Sequence, residues 1–163
     1  VRVTGDNPLT DPFILDDVLK NHVKKNADYS IMSFLPRGST GDVIETTALK
    51  KLYKTIDPNE SQYLAIYIND PVNFHCNFIQ PPPKLFNPFI NVSVDVLQEF
   101  MDVSILINKL GIKSSMEDYT SMCLDMGICK FPKESLIKIS EEETLPYGEY
   151  IEWQVQKQKN GLL

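Results

Sequence analysis

The stretch Arg2-Val3-Thr4-Gly5-Asp6-Asn7-Pro8-Leu9-Thr10-Asp11-Pro12 constrains the fold more than any other part of the chain. Val1 and Val3 read as the end of a buried strand, and Gly5-Asp6-Asn7-Pro8 reads as a turn. Thr10-Asp11 then supplies a capping oxygen just before a proline whose fixed φ suits the first helical position. Strand, tight turn and helix in so short a span are the beginnings of an α/β sheet. The same reading puts Asp6 at the carboxyl end of a strand, where open α/β sheets hold their ligands.

Later segments extend this pattern. Residues 11–26 carry apolar groups at 14, 15, 18, 19 and 23, helical spacing with acids leading and lysines trailing. Residues 29–34 read as a strand, 35–41 as a loop holding Pro36-Arg37-Gly38, and 42–46 as a short strand. Thr47 is expected to cap a helix running to about Thr55, and residues 60–69 to form a short buried helix. Asn73 to Ile79 reads as a strand, and Gln80-Pro81-Pro82-Pro83 as a rigid connector. Residues 90–94 alternate as a strand ending at Asp95. Helices are expected over 96–110, stopped by Gly111, and over Met116 to Met126, capped by Ser115 and ended by Gly127. Beyond residue 130 the pattern weakens. Glu141-Glu142-Glu143 reads as a solvated charge run, and Gly148 to Lys159 fits a helix or a strand equally well.

The chain has 163 residues, about one domain. Its net charge of −6 argues against sequence-independent nucleic-acid binding, which needs a basic footprint. Arg2 and Arg37 are its only arginines. No apolar run reaches the length of a membrane span. Three cysteines (Cys76, Cys123, Cys129) without metal-ligand spacing read as reduced thiols of a cytoplasmic protein. His22 and His75 stand far apart with no zinc pattern around them. The start inside a strand-like run, without Met, reads as part of a longer protein whose amino-terminal segment is missing.

Two expected strands end in a carboxylate, at Gly5-Asp6-Asn7-Pro8 and at Ser93-Val94-Asp95-Val96. If they are neighbours, Asp6 and Asp95 converge over the sheet edge. Mg²⁺ is commonly held by one or two carboxylates, with phosphate oxygens and water completing its octahedron. The alternative is that each Asp merely caps the helix that follows it.

At this point the residues resemble a family. Arg2 to Pro12 is similar to the "R-x-T-x-D-x-P-L-x-D-P" segment of the spore coat polysaccharide biosynthesis cytidylyltransferases, relatives of the enzymes that transfer CMP to sugar acids. Ala27-Asp28-Tyr29 with Leu35-Pro36-Arg37-Gly38 resembles their "A-D-Y … P-R-G" loop. Val43-Ile44-Glu45 with Ala48-Leu49 resembles the strand and helix start that follow. Val92-Ser93-Val94-Asp95-Val96-Leu97-Gln98-Glu99 resembles their "x-T-V-D-T-P-E-D" junction, and Met116-Glu117-Asp118 a late helix. The resemblance covers roughly residues 1–126, leaving 127–163 as an extension without a counterpart.

The resemblance implies a partial nucleotide-diphospho-sugar transferase fold, an α/β architecture with a mixed sheet flanked by helices. It implies that Asp6 and Asp95 are catalytic and hold Mg²⁺ against the CTP phosphates. The reaction joins a sugar-acid hydroxyl to the α-phosphorus of CTP and expels pyrophosphate. Arg37 would bind the sugar carboxylate as a bidentate donor, or else pack over its own loop. Arg2 would bind substrate, or else pair structurally. The 29–79 region resembles the part through which relatives form a homodimer. Departures set the alternatives. The basic glycine-rich loop that grips CTP has no match here, so the chain as it stands is expected to be inactive. Val96-Leu97 replaces Thr-Pro, and Gln62-Tyr63 replaces a Glu-His pair. These changes favour a second reading, a non-catalytic assembly or binding module derived from the same fold. A third is a nucleotidyltransferase with another sugar or base.

Overall fold

Asp11 starts the first helix. In the computed structural model, which describes residues 1–56, 64–139 and 143–159, its Oδ1 accepts from the backbone N–H groups of Phe13 at 2.8 Å and Ile14 at 3.3 Å. Helix α1 (Pro12–Lys25) follows, with proline in its first turn, and ends at Asn26, whose φ of 50° is left-handed. The chain then forms β1 (Tyr29–Met32), β2 (Val43–Ile44), α2 (Thr46–Tyr53), α3 (Leu64–Ile68) and β3 (Cys76–Ile79). A 3₁₀ turn at Pro83–Leu85 precedes α4 (Leu97–Leu110) and α5 (Met116–Met126). Last come β4 (Leu136–Lys138), β5 (Thr144–Pro146) and α6 (Tyr147–Lys159).

The main sheet is mixed, in the order β2-β1-β3. β1 runs parallel to β3, with Tyr29 opposite Cys76 and Met32 opposite Ile79, and antiparallel to β2, with Tyr29 opposite Ile44. Side chains alternate across β1. Tyr29 and Ile31 join Ala48, Leu52, Ile68 and Phe74 in one apolar cluster. Met32 joins the larger one, with Val18 of α1, Val92, Leu106 of α4 and Cys123 of α5. Ser30, on the Met32 side, hydrogen-bonds His22 of α1 at 2.9 Å. The sheet is therefore flanked by helices on both faces. A third cluster gathers Phe34, Tyr147 and Ile151, with Phe89, Phe131 and Tyr150 packed against them. It joins α6 to the loops that follow β1 and β3. β4 and β5 form a separate antiparallel hairpin with Ile137 opposite Leu145.

Several local expectations need correction. The opening is not a buried strand: Val1 and Val3 are exposed, and only Arg2 pairs, in an isolated antiparallel bridge with Asp42. Residues 90–94 form no strand either. Ile90 and Asn91 make isolated bridges to Lys130 and Arg37, and the Asn91 side chain then turns the backbone by accepting from Ser93 N–H at 3.2 Å. Thr47 caps nothing; α2 begins at Thr46, and its N-cap Glu45 makes no side-chain cap bond. β3 starts at Cys76 rather than Asn73, because Asp70 draws Val72, Asn73 and Phe74 into a turn. The expected helix at 60–69 is seen as Leu64–Ile68; residues 60–63, with Gln62 and Tyr63, lie outside the described residues, as do Glu141 and Glu142. The ambiguous tail at 148–159 is a helix. By contrast, Gly111 and Gly127 end α4 and α5 as expected, and Ser115 Oγ accepts from Asp118 N–H at 3.2 Å.

Candidate functional site

Three segments far apart in sequence are laced together by backbone hydrogen bonds. Arg2 and Asp42 exchange N–H···O bonds of 2.8 and 3.0 Å. Arg37 N–H donates to Ile90 O, and Val92 N–H to Arg37 O, both at 2.8 Å. Val94 N–H donates to Asp6 O at 2.8 Å. This last bond seats the residue before Asp95 directly against Asp6. Gly38 sits where the segments press together. Its φ is +82°, and a Cβ there would lie 2.6 Å from Ser93 N and 2.9 Å from Asn7 Oδ1. Glycine alone tolerates that backbone and that closeness. Turn bonds hold the first segment: Asn7 N–H reaches Thr4 O at 3.2 Å, and Asn7 Nδ2 reaches Thr4 Oγ1 at 2.9 Å.

The rim of these segments encloses a cavity of about 470 Å³, lined by Asp6, Arg37 and Asp95 among others. Both aspartates are exposed. Among the described residues neither carboxylate has a hydrogen-bond or ion-pair partner. In particular Asp95 does not cap α4. Glu99, in the first helical turn, accepts from the N–H groups of Asp95 at 2.7 Å and Val96 at 3.0 Å. Its other oxygen accepts from Asn91 Nδ2 at 2.6 Å. Glu99 thus satisfies the helix start that the Asp95 side chain leaves alone.

Arg37 likewise lacks a carboxylate partner among the described residues. Its guanidinium lies over the Phe131 ring at 4.0 Å and near the Tyr147 ring at 5.6 Å. Aromatic faces hold the cation in place and leave its N–H fork available. Arg2 lines the same cavity but is already engaged. Its Nη1 pairs with Asp42 Oδ2 at 3.0 Å, and the Tyr29 hydroxyl donates to Asp42 Oδ1 at 3.1 Å. Burial pushes the Tyr29 phenol well above its usual range, with the Asp42 charge adding to the effect. Of the four residues singled out from sequence, Asp6, Asp95 and Arg37 therefore line one cavity without a charge partner among the described residues, and Arg2 lines it already paired with Asp42.

Sequence reading missed four contributors. Glu99 and Asn91 organise the Asp95 junction; an acid three residues after Val96 was the available signal. Tyr147 and Gln154 line the cavity from α6, and no local pattern pointed to them. Burial pushes the Tyr147 phenol up to about 12, with Arg37 pulling the other way. The thiols supply no nucleophile here: Cys123 and Cys129 are buried, and burial pushes Cys76 up to about 11. No cluster of three or more His, Cys, Asp or Glu side chains suited to a metal occurs among the described residues. Of the three aspartates lining the cavity, Asp42 is held by Arg2 and Tyr29, leaving Asp6 and Asp95 without a described partner. A carboxylate pair of that kind is chemically able to hold a hard cation that keeps several waters and takes further oxygens from a substrate.

A mixed sheet flanked by helices, with its charged cavity at the loops around Asp6 and Asp95, is an α/β fold consistent with a partial nucleotide-sugar transferase-like one. The chain is similar to "Spore coat polysaccharide biosynthesis protein SpsF" of Bacillus subtilis (strain 168). The two are 25% identical over 114 residues, 68% of this chain and 48% of the relative. It is also similar to "Uncharacterized protein MJ1063" of Methanocaldococcus jannaschii, 29% identical over 102 residues, 61% of this chain and 42% of the relative. The chain thus spans less than half the length of these curated relatives. No family model and no solved structure matches it. Among the described residues no helix is long and apolar enough to cross a membrane.

Proposed function

We propose that this chain carries the acceptor-facing part of a nucleotidyltransferase in polysaccharide biosynthesis, which transfers CMP from CTP to a sugar acid with release of pyrophosphate. The observation that carries the reading is the junction of Asp6 with Val94-Asp95. It presents to one cavity two carboxylates and an arginine that have no charge partner among the described residues. Similarity to a spore coat polysaccharide biosynthesis protein supports the pathway class.

On this reading Asp6 and Asp95 would hold Mg²⁺, whose chemistry is to neutralise charge developing on the phosphate oxygens. Arg37 anchors the acceptor carboxylate through its N–H fork and so fixes which hydroxyl faces the α-phosphorus. Arg2, tied to Asp42, holds the cavity wall rather than the substrate. Glu99 acts through the backbone, keeping the Asp95 carboxylate out of the helix cap and free for the cavity. The basic loop that would grip the triphosphate belongs, on this reading, to a segment preceding residue 1, residues 1–126 form the catalytic unit and 127–163 an extension. A homodimer fits the apolar side chains of Leu49 and Tyr53, which α2 leaves exposed.

The test is pyrophosphate release from CTP and Mg²⁺ by the full-length protein with a panel of sugar acids. Asp95→Asn is expected to cut the rate roughly 100-fold or more while leaving the melting curve in place. No release with any sugar acid or base would favour the second reading, a binding module that kept the fold. Val96 and Leu97 favour that module, because exposed apolar residues at the start of α4 replace a polar junction and suit a protein partner.

A further inference from the structure

Past Arg37 the cavity opens into a second, larger hollow of about 910 Å³, bounded by α6, the β4–β5 hairpin and the segment after α3. Arg37, Ala65, Asn69, Tyr147, Tyr150 and Gln154 line both spaces, so the two share a wall. The outer hollow has its own chemistry. Tyr147 and Tyr150 stack with centroids 6.3 Å apart and planes 21° from parallel. Tyr150 and Trp153 follow at 6.1 Å and 34°. The i, i+3 spacing of these three residues on α6 builds the ladder.

Two polar groups in this wall are buried without a described partner. The Tyr147 side chain is 7% exposed, and its hydroxyl makes no hydrogen bond among the described residues. Gln154 is also 7% exposed; its Nε2 donates to the Tyr150 hydroxyl at 2.8 Å, and its Oε1 has no described partner. Buried polar atoms left open are costly unless something satisfies them. A ligand rich in hydroxyls and with an apolar ring face would do both jobs here: stack on the half-exposed Trp153 ring at the outer end of the ladder and pair with the phenol and the amide.

We propose that the outer hollow is a carbohydrate-stacking subsite for a second saccharide unit, linked to the acidic unit whose carboxylate meets Arg37. Its volume lies at the upper end of small-molecule sites, which hold ligands larger than one pyranose. The flat, rigid Tyr and Trp side chains lose little entropy on contact. The orientation of the ligand rests on the transferase reading; its binding does not. The acceptor is then an acidic disaccharide or longer chain, chosen by α6 and the hairpin rather than by the residues around Asp6.

Trp153 is the only tryptophan of the chain, so its emission reports on this hollow directly. The 163-residue chain is titrated with glucuronic acid, with an aldobiuronic acid (glucuronic acid joined to a neutral hexose) and with neutral cellobiose. The aldobiuronic acid is expected to change Trp153 emission saturably, at concentrations about tenfold or more below those needed for glucuronic acid. Tyr150→Leu should bring the disaccharide down to the monosaccharide's affinity. Ala65→Phe, an exposed change at the shared mouth, should do the same without touching the core, which covers the case that Tyr150→Leu fails to fold. Equal affinity for the two acids, or no binding of any sugar, overturns the subsite. Disaccharide binding without pyrophosphate release by the full-length protein keeps the subsite and removes the transferase reading. Release from a monosaccharide acid, with Trp153 emission unmoved by the aldobiuronic acid, does the reverse.

Discussion

The two sides of the cavity are built in different ways. Around Asp6, Gly38 and Ser93 the wall is main chain: turns and bridges hydrogen-bonded at 2.8 to 3.2 Å, with a glycine pressed against a neighbouring backbone. Along α6 the wall is side chain: Tyr147 stacked on Tyr150, Tyr150 tilted against Trp153, and Phe131 under Arg37. A main-chain wall fixes positions to a fraction of an ångström and tolerates almost no change. A side-chain wall can be re-cut by substitution without moving the fold. Groups that must be aligned for chemistry belong on the first kind, and groups that choose a ligand belong on the second.

The contrast predicts a graded series. Gly38→Ala should cost about 3 kcal/mol of stability, because the methyl meets Ser93 and the backbone sits at positive φ. Urea titration reads this, and a benign result would mean that the main-chain wall gives. Asp11→Ala should cost about 1–2 kcal/mol. That carboxylate caps α1 and also lies 3.3 Å from the N–H of Met116 at the start of α5. Tyr147→Phe should stay within about 0.5 kcal/mol by thermal melting, since the rings remain and the hydroxyl lost has no partner among the described residues. The same variant should weaken saccharide binding, which would separate selection from stability on the α6 side.

A pH titration tests the sheet that carries the main-chain wall. Burial lowers the His22 pKa, against an opposing pull from Glu45. The folded state therefore prefers neutral His22, and the unfolded chain binds the proton more readily. Stability from this group is full above the ordinary value of 6.5 and declines as pH falls below it towards the lowered value. Melting temperature should fall with acid in that window. The fall should be shallower in His22→Gln, which removes the titrating ring while leaving an amide to meet Ser30.

Much of the fold was legible because its signals are local. Asp11-Pro12 opens a helix, Ser115 with Asp118 opens another, and Gly111 and Gly127 close two; each cap is satisfied within a few residues. The expected strands were less legible. Val1 to Val3 and 90–94 alternate correctly, yet each is held by isolated bridges, since no continuous neighbour runs beside them. That the segments of Asp6 and Asp95 lie side by side followed from the sequence only on the condition that two strands were neighbours, and those strands did not form; a single backbone bond from Val94 to Asp6 joins the segments instead. α6 was ambiguous because Gly148 weakens its first turn and its aromatics suit a strand as well as a helix. Its role in the cavity depends on tertiary packing against Phe89 and Phe131.

The bridges that frame the cavity join residue 2 to 42, 6 to 94 and 37 to 90. Each closes a long stretch of chain, and long closures must be made before the contacts they enable give anything back. Helices can form early from neighbouring residues, as can the Thr4–Asn7 turn, but the bridges that join the rim's segments cannot. A chain emerging from the ribosome would hold its helices before it held the hollow, and would have no place for a ligand until residue 94 had found residue 6.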